Sequence, residues 1–181
     1  MKVSKTVSIN SNPNDVWNAL ADWGSIVNYH PWVVNSPLLS SEKSGVGASR
    51  RCEFADKTSI VETVTKWQEY ERMEITLSDT PFPLKSGTVA MVIKKFGSGT
   101  SVTFEMDIAI GMGPLGWIMG PLAIKPLMKT RIEKMLQSLE HYLKTGTKLD
   151  PKGNIVQLKP SERDRIALNS AKAPTPDGHP S

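Results

Sequence analysis

The sequence predicts an α+β domain in which a strongly curved antiparallel sheet of about seven strands wraps around one long C-terminal helix, with two short helices after the first strand. Three observations support this. Between Pro37 and Ile110, strand-like segments follow one another with no long helix between them. Their connections are short and turn-like, above all Gly97-Ser98-Gly99, which favours local antiparallel pairing. Finally, Met128, Ile132, Met135, Leu136, Leu139, Tyr142 and Leu143 recur at helical steps, with Lys129, Lys134, Gln137 and Lys144 on the other face. One face of the sheet needs an apolar cover, and this helix is the element able to provide it.

The elements follow in order. Val3, Val7 and Ile9 alternate with polar neighbours, as in a half-buried strand. Asn12-Pro13-Asn14-Asp15 then supplies a cap, a first-turn proline and an acid near a helix N-terminus, so a helix runs through Leu20. A second short helix over 23–29 ends at His30, because the residue before Pro31 is pushed out of the helical region. Strands are expected over 37–42, 48–54, 58–67, 72–77, 88–96 and 100–110. Gly111, Gly113, Gly116 and Gly120, with Pro114 and Pro121, loosen the next stretch into a pliable lid, and Pro126 begins or kinks the long helix. The chain thus divides into a ligand-binding domain at 1–145 and a polar, flexible tail at 146–181, rich in Pro, Lys and Ser.

Charge and cysteine usage exclude several classes. Residues 1–145 carry 16 basic and 14 acidic side chains, and 146–181 carry 6 and 4. That surplus is too weak to indicate nucleic acid, and no basic stripe is interleaved with stacking aromatics. Cys52 is the only cysteine, so an intrachain disulfide is ruled out. The opening MKVSKTVSINSN lacks the apolar core of a signal peptide, and a cytoplasmic location is expected. The seventeen uncharged residues between Asp107 and Lys125 are too short and too broken by Gly and Pro for a membrane span. His30, His141 and His179 show no metal-ligand spacing, so neither a metal nor another cofactor is expected.

Several local signatures, in this order, resemble the START-related helix-grip (SRPBCC) superfamily, and most of all its polyketide cyclase/dehydrase-like branch. They are Asn12-Pro13-Asn14-Asp15-Val16-Trp17 after the first strand, Asp22-Trp23 to Tyr29-His30-Pro31-Trp32, and Gly45-Val46-Gly47-Ala48. Ile60-Val61-Glu62 with Glu71-Arg72 and the terminal helix complete the set, which covers about residues 1–145. The resemblance implies a helix-grip fold with an apolar pocket between sheet and helix. It also implies a lipid, hormone, polyketide or aromatic ligand, and in some members aldol-type cyclisation or dehydration. Ala55-Asp56-Lys57 lacks the gate loop of the superfamily's hormone receptors, and Thr80-Pro81-Phe82-Pro83-Leu84 does not match their latch.

Candidate site residues follow from strand alternation and from that resemblance. Glu62 shares a face with Ile60 and Val64, and the family match places an inward polar residue there. In apolar surroundings its protonated form would be favoured, suiting acid–base work; with Val61 and Trp67 opposite, it could instead face solvent. By resemblance His30 lies near the pocket, where a histidine can exchange protons, and its bland reading is a boundary residue bonded to backbone. Arg50, Cys52 and Phe54 alternate on one face; Arg50 could meet an acidic ligand group, and Cys52 reads as a small buried hydrophobe. Phe54, Ile60, Val64, Ile75 and Leu77 are expected in the pocket wall. Val89, Met91, Ile93, Phe104, Met106 and Ile108 continue it, with Gly87 leaving room beside them. Leu115, Trp117, Ile118, Met119, Leu122, Ile124 and Met128 would close it from the helix side. Glu105 and Asp107 should face outward.

The expected partner is therefore a small hydrophobic or amphipathic molecule held in an internal cavity. Two functions fit: an enzyme cyclising or dehydrating a polyketide-like or aromatic substrate through Glu62 and His30, or a non-catalytic lipid carrier. The carrier would touch membranes transiently through 115–119, near Lys125, Lys129 and Arg131. A protein-partner module in which the tail binds is a third reading. Ligand identity and oligomeric state are not encoded in these patterns.

Overall fold

The computed structural model describes residues 1–81, 84–111 and 124–157. Seven strands form one antiparallel sheet: β1 (Lys2–Ile9), β2 (Val33–Asn35), β3 (Ser49–Phe54), β4 (Ser59–Gln68), β5 (Arg72–Ser78), β6 (Leu84–Phe96) and β7 (Gly99–Ile110). Their spatial order is β1-β7-β6-β5-β4-β3-β2, so β3 to β7 form a meander and β1 crosses over to pair with β7. Helix α1 (Pro13–Ala21) follows β1, and the long helix α2 (Lys125–Thr145) lies after the sheet. This is the helix-grip arrangement the sequence predicts.

Local chemistry explains the element ends. Asn12 Oδ1 accepts the Asp15 backbone N–H at 2.9 Å, and Pro13 opens the helix where its missing N–H costs nothing. Pro126 occupies the corresponding place in α2, and Gly146 ends that helix in the left-handed conformation, φ 68°. The second short helix shrinks to one 3-10 turn, Ile26–Asn28. The strand expected over 37–42 is reduced to a single bridge from Leu38 to Arg50, while β2 forms the sheet edge instead.

The core lies between the concave face of the sheet and one stripe of α2. Leu136 and Leu139 are fully buried against a cluster that includes Trp17, Leu20, Val64, Met73 and Val102. Burying each such leucine contributes about 1.5–3 kcal/mol. A bulge changes which face Trp67 occupies. Between Val64 and Lys66 the register with β5 shifts by one residue, so Val64 stands opposite Ile75 and Trp67 opposite Met73. The extra residue turns Trp67 to the inner face, where it meets Trp17 edge-on at 5.0 Å. Simple alternation puts it on the outside.

The chain beyond α2 is not featureless. β8 (Lys148–Leu149) pairs with β9 (Ile155–Val156) in a small hairpin whose turn is closed by Asp150, which accepts the N–H groups of Lys152 and Asn154. Ser138 Oγ on α2 accepts the Leu149 N–H at 2.9 Å. Lys148 Nζ donates to the Val27 and Val33 carbonyls at 2.9 and 3.0 Å, tying this hairpin to the segment before β2. The remainder of the predicted tail lies outside the described residues.

Gly99 marks a point where two backbones touch: a Cβ built there would lie 2.5 Å from the Ile9 carbonyl oxygen. Gly99→Ala is expected to destabilise the fold by about 1–3 kcal/mol, read as a lower urea midpoint with unchanged m-value.

Candidate functional site

A cavity of about 380 Å³ opens between the concave sheet, the segment 26–32 and the first half of α2. Its wall is mostly apolar. Phe54, Ile60, Ile75, Leu77, Val89, Met91, Phe104, Met106 and Ile108 line it from the sheet, and Met128, Ile132 and Met135 from the helix. Alternate residues of each strand and helical steps along α2 bring these side chains to one space. Tyr29, His30, Arg50, Asp56, Thr58, Glu62 and Arg131 add the polar groups.

The deep polar cluster is built by the β3–β4 hairpin, which sets Arg50 directly opposite Glu62. Arg50 Nη2 lies 2.6 Å from Glu62 Oε2, and Nε donates to the same oxygen at 2.8 Å. Nη1 donates to the Trp23 carbonyl at 3.0 Å, and the guanidinium carbon sits 3.8 Å from the Trp23 ring centroid. Arg50 is 2% exposed. Burial works against its charge, yet Glu62, Cys52 and Tyr29 together outweigh this and hold its pKa above the ordinary value. Cys52 donates a long, weak bond to Glu62 Oε2, and burial together with that carboxylate pushes its thiol up to about 12. It is a packed, unreactive thiol. Burial likewise raises the Tyr29 phenol above its usual value.

His30 occupies the mouth. Its Nδ1 accepts the Trp32 backbone N–H at 3.3 Å, so the neutral ring carries its proton on Nε2. Burial, and then Arg50, Lys148 and Arg131, lower its pKa to about 3. The ring is neutral near pH 7 and a poor base.

The expected site residues separate as follows. Arg50, Phe54, Ile60, Glu62, Ile75, Leu77, Val89, Met91, Phe104, Met106, Met128 and His30 all border the cavity. Glu62 is not a lone acid among hydrocarbon but half of an ion pair. Val64 is buried in the core and does not border the cavity, and Ile93 likewise belongs to the core. Gly87 is not part of the lining; it leaves room for the Leu77 and Leu84 side chains. Ile124 is half-buried and away from the lining. Leu115, Trp117, Ile118, Met119 and Leu122 lie outside the described residues. Glu105 and Asp107 are exposed, as expected.

Sequence reasoning missed Tyr29, Arg131 and the Arg50–Glu62 pairing. The last was legible: closing the hairpin symmetrically about Asp56 sets the two residues opposite each other. A larger hollow of about 510 Å³ lies on the outer face of the sheet. Its charged groups satisfy one another, with Arg72 bonded to Glu74 and Glu105, so it is a solvated ion-pair surface.

Fold and cavity together define a helix-grip domain with an internal hydrophobic pocket. The chain belongs to the polyketide cyclase/dehydrase and lipid transport family, whose model matches residues 1–144. Solved structures similar in fold include TTHA0849 from Thermus thermophilus, with TM-score 0.67 and 18% identity over 81% of this chain and 99% of that one. A START superfamily protein from Mycobacterium smegmatis matches with TM-score 0.64 and 16% identity, over 78% and 98% of the two chains. DynU16, from the dynemicin biosynthetic locus, matches with TM-score 0.60 and 19% identity over 80% of this chain. The match covers 48% of DynU16, so this chain spans about half its length. No curated protein sequence matches this chain. Family and fold point to binding of a hydrophobic small molecule. No helix among the described residues is long and apolar enough to cross a membrane.

Two outcomes follow. Glu62→Ala leaves the Arg50 charge buried without its partner and should cost about 3–5 kcal/mol of stability, measured by denaturant unfolding. Arg50→Met with Glu62→Leu should cost much less, because no charge is stranded. For His30, the unfolded ring takes up a proton near its ordinary 6.5 and the folded ring only near 3. The unfolded state therefore binds more protons in that window, and stability falls as pH drops through it. His30→Gln should flatten this slope in urea midpoints compared between about pH 7 and about pH 4.5.

Proposed function

We propose that this protein holds a small hydrophobic or amphipathic molecule, such as a polyketide, an aromatic metabolite or a lipid, inside the cavity between sheet and α2. The observation that carries this reading is the cavity itself: about 380 Å³, within the range of small-molecule sites, with a mostly apolar wall and a few polar groups at its ends. Methionines 91, 106, 128 and 135 in that wall suit ligands of varied shape, because an unbranched thioether repacks at low cost. Native mass spectrometry of protein purified from its source should show a bound small molecule. Met91→Trp, which fills the hollow, should abolish binding of an apolar fluorescent probe while far-UV circular dichroism stays the same. Probe binding that survives this change would place the ligand elsewhere.

Cyclisation or dehydration of such a ligand is a second reading, supported by the polar cluster of Arg50, Glu62 and Tyr29 at the inner end of a greasy pocket. There the guanidinium and phenol offer donors to a ligand carbonyl and Glu62 exchanges a proton with it, while His30 would serve from the mouth. The ion pair on Glu62 and the low pKa of His30 weigh toward carriage over turnover near pH 7. In a cyclisation assay, unchanged kinetics of Glu62→Gln would remove that residue from any mechanism.

A further inference from the structure

Two guanidinium groups line the cavity, and among the described residues only one is ion-paired. Arg50, at the inner end, is bound by Glu62. Arg131 projects from α2 at the mouth, one turn beyond Met128, and makes no ion pair with any of the described residues. Its guanidinium carbon lies 5.4 Å from the Trp32 ring centroid, so the aromatic face holds it beside the opening without cancelling its charge.

The nearby groups favour a single negative charge. Asp56 also borders the mouth and attracts Arg131 without forming an ion pair with it, while its Oδ1 is engaged by the Thr58 backbone N–H at 3.0 Å and hydroxyl at 2.6 Å. Its own charge would repel a dianion more than a monoanion. His30 packs on the same Trp32 ring, with centroids 5.8 Å apart. The charges acting on it, from Arg50, Lys148 and Arg131, are all positive, and its neutral ring carries an N–H donor.

We propose that the ligand is an amphipathic monocarboxylate, with its apolar body in the hollow and its carboxylate at the mouth on Arg131, beside the His30 ring. This rests on the cavity-binding reading above and names the ligand class for the same site. A planar guanidinium fork matches a carboxylate with two parallel hydrogen bonds, which a hydroxyl of the same chain length cannot reproduce.

Calorimetric titration of the full chain with dodecanoate, dodecanol and dodecylammonium tests it. Dodecanoate should bind about ten-fold tighter than dodecanol, the expected worth of one charge-assisted hydrogen-bonded pair, and dodecylammonium weakest. Arg131 is exposed, so its substitution leaves the core intact. Arg131→Gln should reduce dodecanoate to the affinity of dodecanol and leave dodecanol unchanged, while Arg131→Lys should recover part of the preference. Equal binding of dodecanoate and dodecanol by the unmodified chain would overturn the carboxylate assignment and leave cavity binding standing. A preference that survives Arg131→Gln would overturn it too. If none of the three binds, cavity binding fails and this inference with it.

Discussion

The arrangement depends on one buried ion pair, Arg50 with Glu62. Taking both charges out of water costs several kcal/mol per ion, which their attraction repays only when further partners complete the geometry. Here the Trp23 carbonyl and indole face complete it for Arg50. The pair does three things together. It favours the register of β3 against β4, draws the segment from Trp23 to Tyr29 onto the sheet, and makes the inner end of an otherwise apolar cavity polar. A one-residue slip of β3 against β4 would put the two charges on opposite faces of the sheet and break the pair.

Around that pair, the sheet and α2 share the work of making a hollow. The meander from β3 to β7 presents alternate side chains to the concave side, and α2 closes it with Met128, Ile132 and Met135. Further along the same helix, Leu136 and Leu139 are packed solid. The helix therefore serves as core at its C-terminal end and as cavity wall at the other. The hairpin after α2 adds a tie, since Lys148 holds the carbonyls on either side of the segment bearing Tyr29, His30 and Trp32. The position of the cavity mouth is set partly from beyond the helix that covers it.

How legible this was differs between the wall and the polar groups. Phe54, Ile60, Met91 and Phe104 could be placed because strand alternation depends only on the backbone. Val64 illustrates the limit of that rule: it shares the inner face but is buried in the core and does not border the cavity. Trp67 shows another, because a single bulge reverses a face and no local residue pattern announced it. For Glu62 and His30 the face and neighbourhood were readable and the chemistry was not. Glu62 meets a guanidinium instead of hydrocarbon, and burial, reinforced by three cations from separate parts of the chain, lowers the pKa of His30.

By itself the sequence determined the fold class, the Asn12 cap, the proline start of α2, and most of the apolar wall. These depend on periodicity and on residues close along the chain. Only the tertiary structure decided that Arg50 is ion-paired while Arg131 has no ion pair among the described residues, that His30 stays neutral, and that residues 147–157 fold back to hold the mouth. Charge and desolvation act through space between residues as far apart as His30 and Lys148, and no local pattern carries those distances.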